Sequence, residues 1–348
     1  MKSRSLTRGA TSRPSIRINS AIPVKIRKFT ILLIGVSFLC CVSQANAENK
    51  YMPKPSKWGP EDQIGNANYL TPEKVLAAVK LVKTGKVYDM GNEYYKGFPA
   101  YPPRDAFVWL LVHGLTVDPP RGYDKATDME EFVSMSTGIS TQLDGFAHVG
   151  HDHVFYNATK QSDIVSASGA KKFGMETVPP LVTRGVLVDM VDFLGRNLEP
   201  TEEINLQDFK ACLKKHRLEL TAGDAVIINT GWMRLLGVDD KKFAASNPGI
   251  SEDVAWYLVE KGVVGVGTDQ WCTEAFPHKD FPAKLYEAAF LPGHVALLGN
   301  GIYQFQNLRV AELADACKND NSYEFLFSFT HPKIRGTVQG IGQPMAIK

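Results

Sequence analysis

The stretch STQLDGFAHVGHDH, residues 140–153, gathers three of the chain's eight histidines and two aspartates within fourteen positions. Imidazoles titrate near neutral pH and move protons or bind metals, while a carboxylate holds a divalent cation or orients an imidazole. Gln142, Asp144, Phe146 and His148 alternate, so an extended segment would point all four to one side. At about 3.3 Å per residue, however, a straight strand separates Asp144 from His148 by roughly 13 Å, too far to share an ion or a substrate atom. A bend is required, and Gly145, which lacks a Cβ, suits a tight turn or a close approach. On a helical turn starting there, Asp144 and His148 stand at i and i+4 on one face. Two plainer readings compete. The stretch can be a self-bonding polar loop, with His151, Asp152 and His153 as solvated surface. It can also hold zinc through His148, His151 and His153, a trio that lacks a distant fourth ligand.

Elements able to position these groups are legible around them. Thr71-Pro72-Glu73 supplies a cap, a proline at the first helical position and an early acid, which predicts a helix running to Gly85. The runs 106–114, 185–191, 224–231 and 262–269 are rich in Val and Ile and end in Gly or Asp, as strands buried on both faces do. Between the last two, ISEDVAWYLVEKG predicts a helix capped at Ser251 and stopped at Gly262. Residues 204–216 predict another amphipathic helix, and 323–332 a late strand ending at a proline. Strand, helix and strand in succession argue for an α/β fold in one domain over residues 48–348, which opens with an irregular Pro- and Lys-rich arm.

Length and composition agree with a globular protein: 348 residues, 44% of them hydrophobic. Residues 1–47 hold eight Lys and Arg, no acid, an apolar run and the small-residue pattern Ala45-Asn46-Ala47, which predicts a signal peptide cut before Glu48, with an uncleaved anchor as the alternative. Its removal leaves 31 basic against 37 acidic side chains (39 minus 8 against 37), a charge of −6. The expected location is therefore periplasmic or secreted, with no nucleic-acid partner and no membrane association after cleavage. Cys212, Cys272 and Cys317 are too few and too scattered for a disulfide framework and read as buried small hydrophobes.

WGPEDQIGNANYLTPEKV, TRGVLVDMVDF, AGDAVIINTGW, PGISEDVAWYLVEKGVVGVGTD and PGHVALLGNGIYQFQNL follow one another in an order that resembles the cyclase family, metal-dependent hydrolases related to bacterial kynurenine formamidase and isatin hydrolase. The resemblance runs from about Trp58 to Pro344. The family signature H-x-G-T-H-x-D-x-P-x-H falls on GISTQLDGFAH, residues 138–148, with Thr141, Asp144 and His148 retained. The resemblance implies a swivelling β/β/α fold, a homodimer or homotetramer, and a divalent ion, zinc or manganese. It implies that Asp144 is a metal ligand and His148 the catalytic acid or base. A second element contributes a histidine and, twelve positions on, a glutamate; these positions are His294 and Gln306. Gly138 and Gln142 stand where two ligand histidines belong, Phe146 replaces a proline, and Gln306 replaces the glutamate. An amide oxygen coordinates a hard cation but brings no charge. Other members with T-Q-x-D-G at this place form a branch that this chain resembles.

The expected metal ligands are thus Asp144 and His294, with Gln142 and Gln306 as weak ligands or donors to the substrate carbonyl. Strand ends in α/β proteins gather ligand contacts, which draws in Asp269 and Trp271 beyond the run 262–269. There the ring would stack on a planar substrate and the carboxylate would fix a polar edge. A capping Asp and a core Trp are the alternatives. Phe146 joins these two as an expected substrate-binding residue. The reading is a hydrolase that opens a small cyclic amide, lactone or formamide by metal-activated water. A metal-free lyase, dehydratase or isomerase using His148 and Asp144 also fits the residues, as does a non-catalytic binder of small molecules.

Overall fold

Three of the four Val- and Ile-rich runs, 185–191, 224–231 and 262–269, fold into the middle of one large sheet. The computed structural model describes residues 49–111, 120–278 and 289–348; the expected signal peptide and positions 112–114 of the first run lie outside them. In chain order the strands are β1 (Val87–Asp89), β2 (Ala106–Leu111), β3 (Glu130–Met135), β4 (Gln142–Asp144), β5 (Val154–Phe155), β6 (Thr159–Lys160), β7 (Leu181–Asp189), β8 (Glu203–Ile204), β9 (Ala225–Asn229), β10 (Gly249–Ile250), β11 (Gly265–Thr268), β12 (Tyr303–Gln306), β13 (Glu324–Phe329), β14 (Gln339–Ile341) and β15 (Met345–Ile347). The helices are α1 (Pro72–Val79), α2 (Gln161–Ile164), α3 (Met190–Leu194), α4 (Leu206–Lys215), α5 (Asp240–Ala245), α6 (Glu252–Lys261), α7 (Pro292–Gly299) and α8 (Ala311–Asp320).

Nine strands form the main sheet in the order β1-β15-β13-β7-β9-β11-β12-β4-β14. The central four, β7, β9, β11 and β12, are parallel, and antiparallel strands flank them on both sides. Alternation divides their side chains between two cores. Leu187, Ile227, Phe305 and Phe327 pack on one face, and Val186, Val188, Val226, Ile228 and Val266 pack on the other against α4, α6 and α7. Residues Asn49–Lys348 form one compact unit. Among the described residues no helix is long and apolar enough to cross a membrane. The three expected free cysteines are buried.

Two expectations need correction. The helix predicted to reach Gly85 ends at Val79, because the Thr84 and Gly85 amides donate to the Lys348 carbonyl and bring the chain into β1 beside β15. The run beginning at Ala106 is a strand but not a buried one. It pairs with β3 in a separate two-stranded hairpin, leaving Val108 and Leu110 59% and 65% exposed. The helix predicted between Ser251 and Gly262 is α6. Gly262 stops it in the left-handed conformation at φ 68°, whereas the Ser251 hydroxyl makes no capping bond.

Candidate active site

Beside β12, the apolar sheet interior gives way to amides and one acid. On β4, Gln142 pairs in register with Gln306 and Asp144 with Gln304, while Gln339 on β14 pairs with Asp144 from the other side. Partners in register share a face, as do residues two apart, so Gln142, Asp144, Gln304, Gln306 and Gln339 all project to one side. All five are buried. Burying polar groups is costly unless they bond one another, and most of these do. The Gln142 amide donates to Asp144 Oδ1 and to Gln306 Oε1, both at 2.9 Å. Gln339 donates to the same Asp144 oxygen at 2.8 Å.

Gly145 supplies the expected bend. Its carbonyl accepts the His148 amide at 3.0 Å, closing a turn, and a Cβ there would lie 2.8 Å from Met175 Sδ. The turn brings His148 back over Asp144, so that ligand atoms of Asp144, His148 and His294 all lie within 4.8 Å of one another. His294 enters from the first turn of α7, its Nε2 3.4 Å from Asp144 Oδ2 and 3.0 Å from the Gln306 amide nitrogen. Glu274 lies behind it. One carboxylate oxygen accepts the His294 backbone N–H at 3.1 Å, and the other meets the ring Nδ1 at 2.7 Å.

Burial alone would raise the Asp144 carboxyl, but the facing imidazoles of His148 and His294 and the Gln339 amide outweigh it and hold the group below the usual carboxylate range. Burial pushes His148 down to about 4 against the pull of Asp144, so its ring is neutral at neutral pH. His294 is raised well above its ordinary value: burial opposes the change, but Glu274 and Asp144 overcome it. Glu274 is lowered despite its burial by the same imidazole. Cys272, 3.5 Å from Glu274 Oε2, is pushed up to about 12 by burial and by that carboxylate, which keeps it a thiol.

A divalent cation fits these residues. Asp144 Oδ2 and Gln142 Oε1 are buried acceptors without a hydrogen bond among the described residues, and Oδ2 faces His294 Nε2. Asp144 and Glu274 bring two buried negative charges to a single imidazole, a place that demands positive charge. In the metal-free chain the proton on His294 supplies part of it. The Glu274 contact to Nδ1 leaves Nε2 turned inward, the arrangement in which a carboxylate orients a ligating histidine.

A pocket of about 160 Å³ opens at this cluster, lined by His148, His294 and Gln306 at one end and by Trp271, Phe276 and Phe290 along its walls. Trp271 lines the pocket and also belongs to the core cluster behind it. Phe146 is not: it stacks on Tyr303 at 4.4 Å between ring centroids and packs on Tyr156, inside the core, because the Gly145 turn breaks the alternation that aligned it with Asp144. Asp269 also departs from its expected role. Its carboxylate accepts from the Thr230 amide at 2.9 Å and hydroxyl at 2.6 Å and borders a separate cavity at the ends of β7 and β9. His151 and His153 turn outward to Asn49 and Gln161, so they form no trio with His148.

Glu274, Gln339 and Arg104 belong to the site and were not singled out from sequence. Glu274 closes the GTDQWCTE stretch at a strand end, a weak signal. Gln339 fills the space beside Gly138, where a Cβ would fall 2.4 Å from its Oε1. Nothing local marks it. Arg104 Nη1 donates to the Gly138 carbonyl at 2.7 Å at the rim of the pocket.

The sequence model of the Cyclase family matches residues 81–275. Among solved structures, that of a novel cyclase is 30% identical, with a TM-score of 0.76 over 85% of this chain and 100% of its own. Isatin hydrolase A from Ralstonia solanacearum is 17% identical, with a TM-score of 0.56 over 80% of this chain and 98% of its own. An isatin hydrolase bound to the product analogue thioisatinate is 16% identical, with a TM-score of 0.56 over the same shares. The α/β fold expected from the order of strands and helices is a mixed α/β fold shared with these structures. No curated protein matches the chain.

Proposed function

Because the chain belongs to the Cyclase family, we propose that it is a hydrolase that cleaves the C–N or C–O bond of a small cyclic amide, lactone or formamide. The observation that carries this reading is the convergence of Asp144, His148 and His294, the two histidines lining one pocket, with two buried oxygens left without a hydrogen bond among the described residues. Asp144 and His294 would hold a zinc or manganese ion, with the amide oxygens of Gln142 and Gln306 beside them. When bound, such an ion lowers the pKa of water from about 15.7 towards 7 and polarises a carbonyl.

The chain's own side chains do the rest. His148, neutral at working pH, accepts a proton from the attacking water and returns it to the leaving nitrogen or oxygen. Glu274 keeps the His294 ring from turning, and Gln339 and Gln142 keep Asp144 aimed at the cluster. Trp271 and its aromatic neighbours exclude water from one side of the substrate.

The test is an amidase and lactonase assay on wild type and on His148→Ala. This reading requires loss of activity in a variant whose thermal midpoint is unchanged, together with loss on chelation. The amides at 142 and 306 favour a second reading, proton transfer without a metal in a lyase, dehydratase or isomerase. Activity that survives chelation but not His148→Ala selects it. Activity in neither protein would leave a small-molecule binder.

We also infer export and self-association. Residues 1–47 direct the chain to the periplasm or the medium, tested by N-terminal sequencing of exported protein. Residues 48–348 assemble as a homodimer or homotetramer, tested by light scattering.

A further inference from the structure

We propose that the site takes a substrate built on a single aromatic ring bearing a carboxylate, and that Arg104 is the specificity-determining residue that reads the carboxylate. The inference rests on the hydrolase reading for what happens to the substrate, but the recognition stands on the pocket itself.

Size comes first. A cavity of about 160 Å³ is close to the roughly 150 Å³ that accommodates one benzene in an apolar protein interior. The walls suit a planar apolar ring. Trp271 and Phe276 meet at 4.9 Å between centroids, Tyr101 lies 5.9 Å from Trp271, and Phe290 lies 5.9 Å from Phe276. The Trp271 indole N–H is already spent on the Phe243 carbonyl at 3.0 Å, so the indole offers the pocket carbon surface and no donor.

Charge comes second. Among the described residues no Asp or Glu lines the pocket. Arg104 borders it, and the one hydrogen bond of its side chain among the described residues runs from Nη1 to the Gly138 carbonyl. A guanidinium carries five N–H donors in a planar fork whose geometry matches a carboxylate with two parallel bonds. A guanidinium with donors to spare, beside an aromatic pocket that no acid lines among the described residues, is therefore a receptor for an anion on a flat ring. With the carboxylate at Arg104, the rest of the ring's substituents reach His148, His294 and Gln306, which line the same pocket.

Benzoate and benzamide have the same shape and differ in charge, so they are the probes. Binding of each is measured by calorimetry to residues 48–348 of the wild type, to Arg104→Gln and to Arg104→Lys, with and without prior metal removal. The expected result is benzoate bound at least tenfold more tightly than benzamide in the wild type. Arg104→Gln should erase that preference, leaving benzamide within about twofold of its wild-type affinity, and Arg104→Lys should keep part of it. Equal binding of the two probes, binding of neither, or a preference that Arg104→Gln leaves intact overturns the inference. A preference abolished by metal removal and indifferent to Arg104 also overturns it, since the carboxylate would then sit on the metal, while supporting the metal reading. A preference that depends on Arg104, in a protein that hydrolyses no aryl amide or ester, upholds the recognition and refutes the hydrolase.

Discussion

Glu274 grips His294 twice, with one carboxylate oxygen on the backbone N–H at 3.1 Å and the other on ring Nδ1 at 2.7 Å. The first bond caps the amino end of α7, where a carboxylate is favoured by the helix dipole and where the residue preceding the helix, Leu291, supplies no side-chain cap. The second fixes which ring nitrogen faces Asp144. Replacing Glu274 by Gln keeps an acceptor but removes the charge, so metal affinity should fall about 10- to 100-fold. Calorimetric titration with manganese and zinc checks this, and an unchanged affinity would show that Glu274 only caps the helix.

Gly138 and Gln339 compete for one space. A Cβ at position 138 falls 2.4 Å from Gln339 Oε1, so Gly138→Ala should push the amide away from Asp144 and weaken metal binding. In a Gln339→Ala background the same change should cost nothing further. The double-mutant cycle on metal affinity should give a coupling of about 0.5–3 kcal/mol, as expected for residues in contact; simple additivity would contradict the account.

Phe146 belongs to the core, between Tyr303 and Tyr156. Phe146→Ala should destabilise the fold by about 3–5 kcal/mol. Urea denaturation measures the loss, and KM for any substrate found should stay within a few-fold. A stable variant with a large change in KM would return Phe146 to the substrate site.

Asp62 ties the N-terminal arm down, accepting from the Ser56 hydroxyl at 2.6 Å, the Asn68 amide at 2.9 Å, the Ile64 N–H at 3.1 Å and the Tyr156 hydroxyl. Burial alone would raise its carboxyl, but these bonds together hold it below its ordinary value. A depressed folded pKa contributes stability that is present above the unfolded value of about 3.9 and is lost as pH falls through the folded one. Asp62→Asn should therefore be less stable than the wild type near pH 7, with the gap closing below about pH 4. A gap that persists unchanged into acid would contradict this.

The parts of the site that were legible in sequence are local or carry their own motif. Gly145 announces the bend between Asp144 and His148, and the GHVALLGNGI surroundings of His294 carry the family resemblance. What could not be read is set by register across the sheet. Gln339 reaches Asp144 because β14 pairs with β4, and Glu274 reaches His294 from twenty residues earlier. The fold shows the same division. Val- and Ile-rich runs become β7, β9 and β11, but the equally apolar Phe107-Val108-Trp109-Leu110 stands exposed on a hairpin, since hydrophobicity alone does not say what will cover a strand.

The central claim is that Asp144 and His294 form a metal site, and the metal content of residues 48–348 tests it most directly. The protein is purified without added metal or chelator and measured by elemental mass spectrometry beside an Asp144→Ala control. The account predicts about one zinc or manganese per chain in the wild type and none in the control. A wild type that holds no divalent ion even after incubation with zinc and manganese would contradict it.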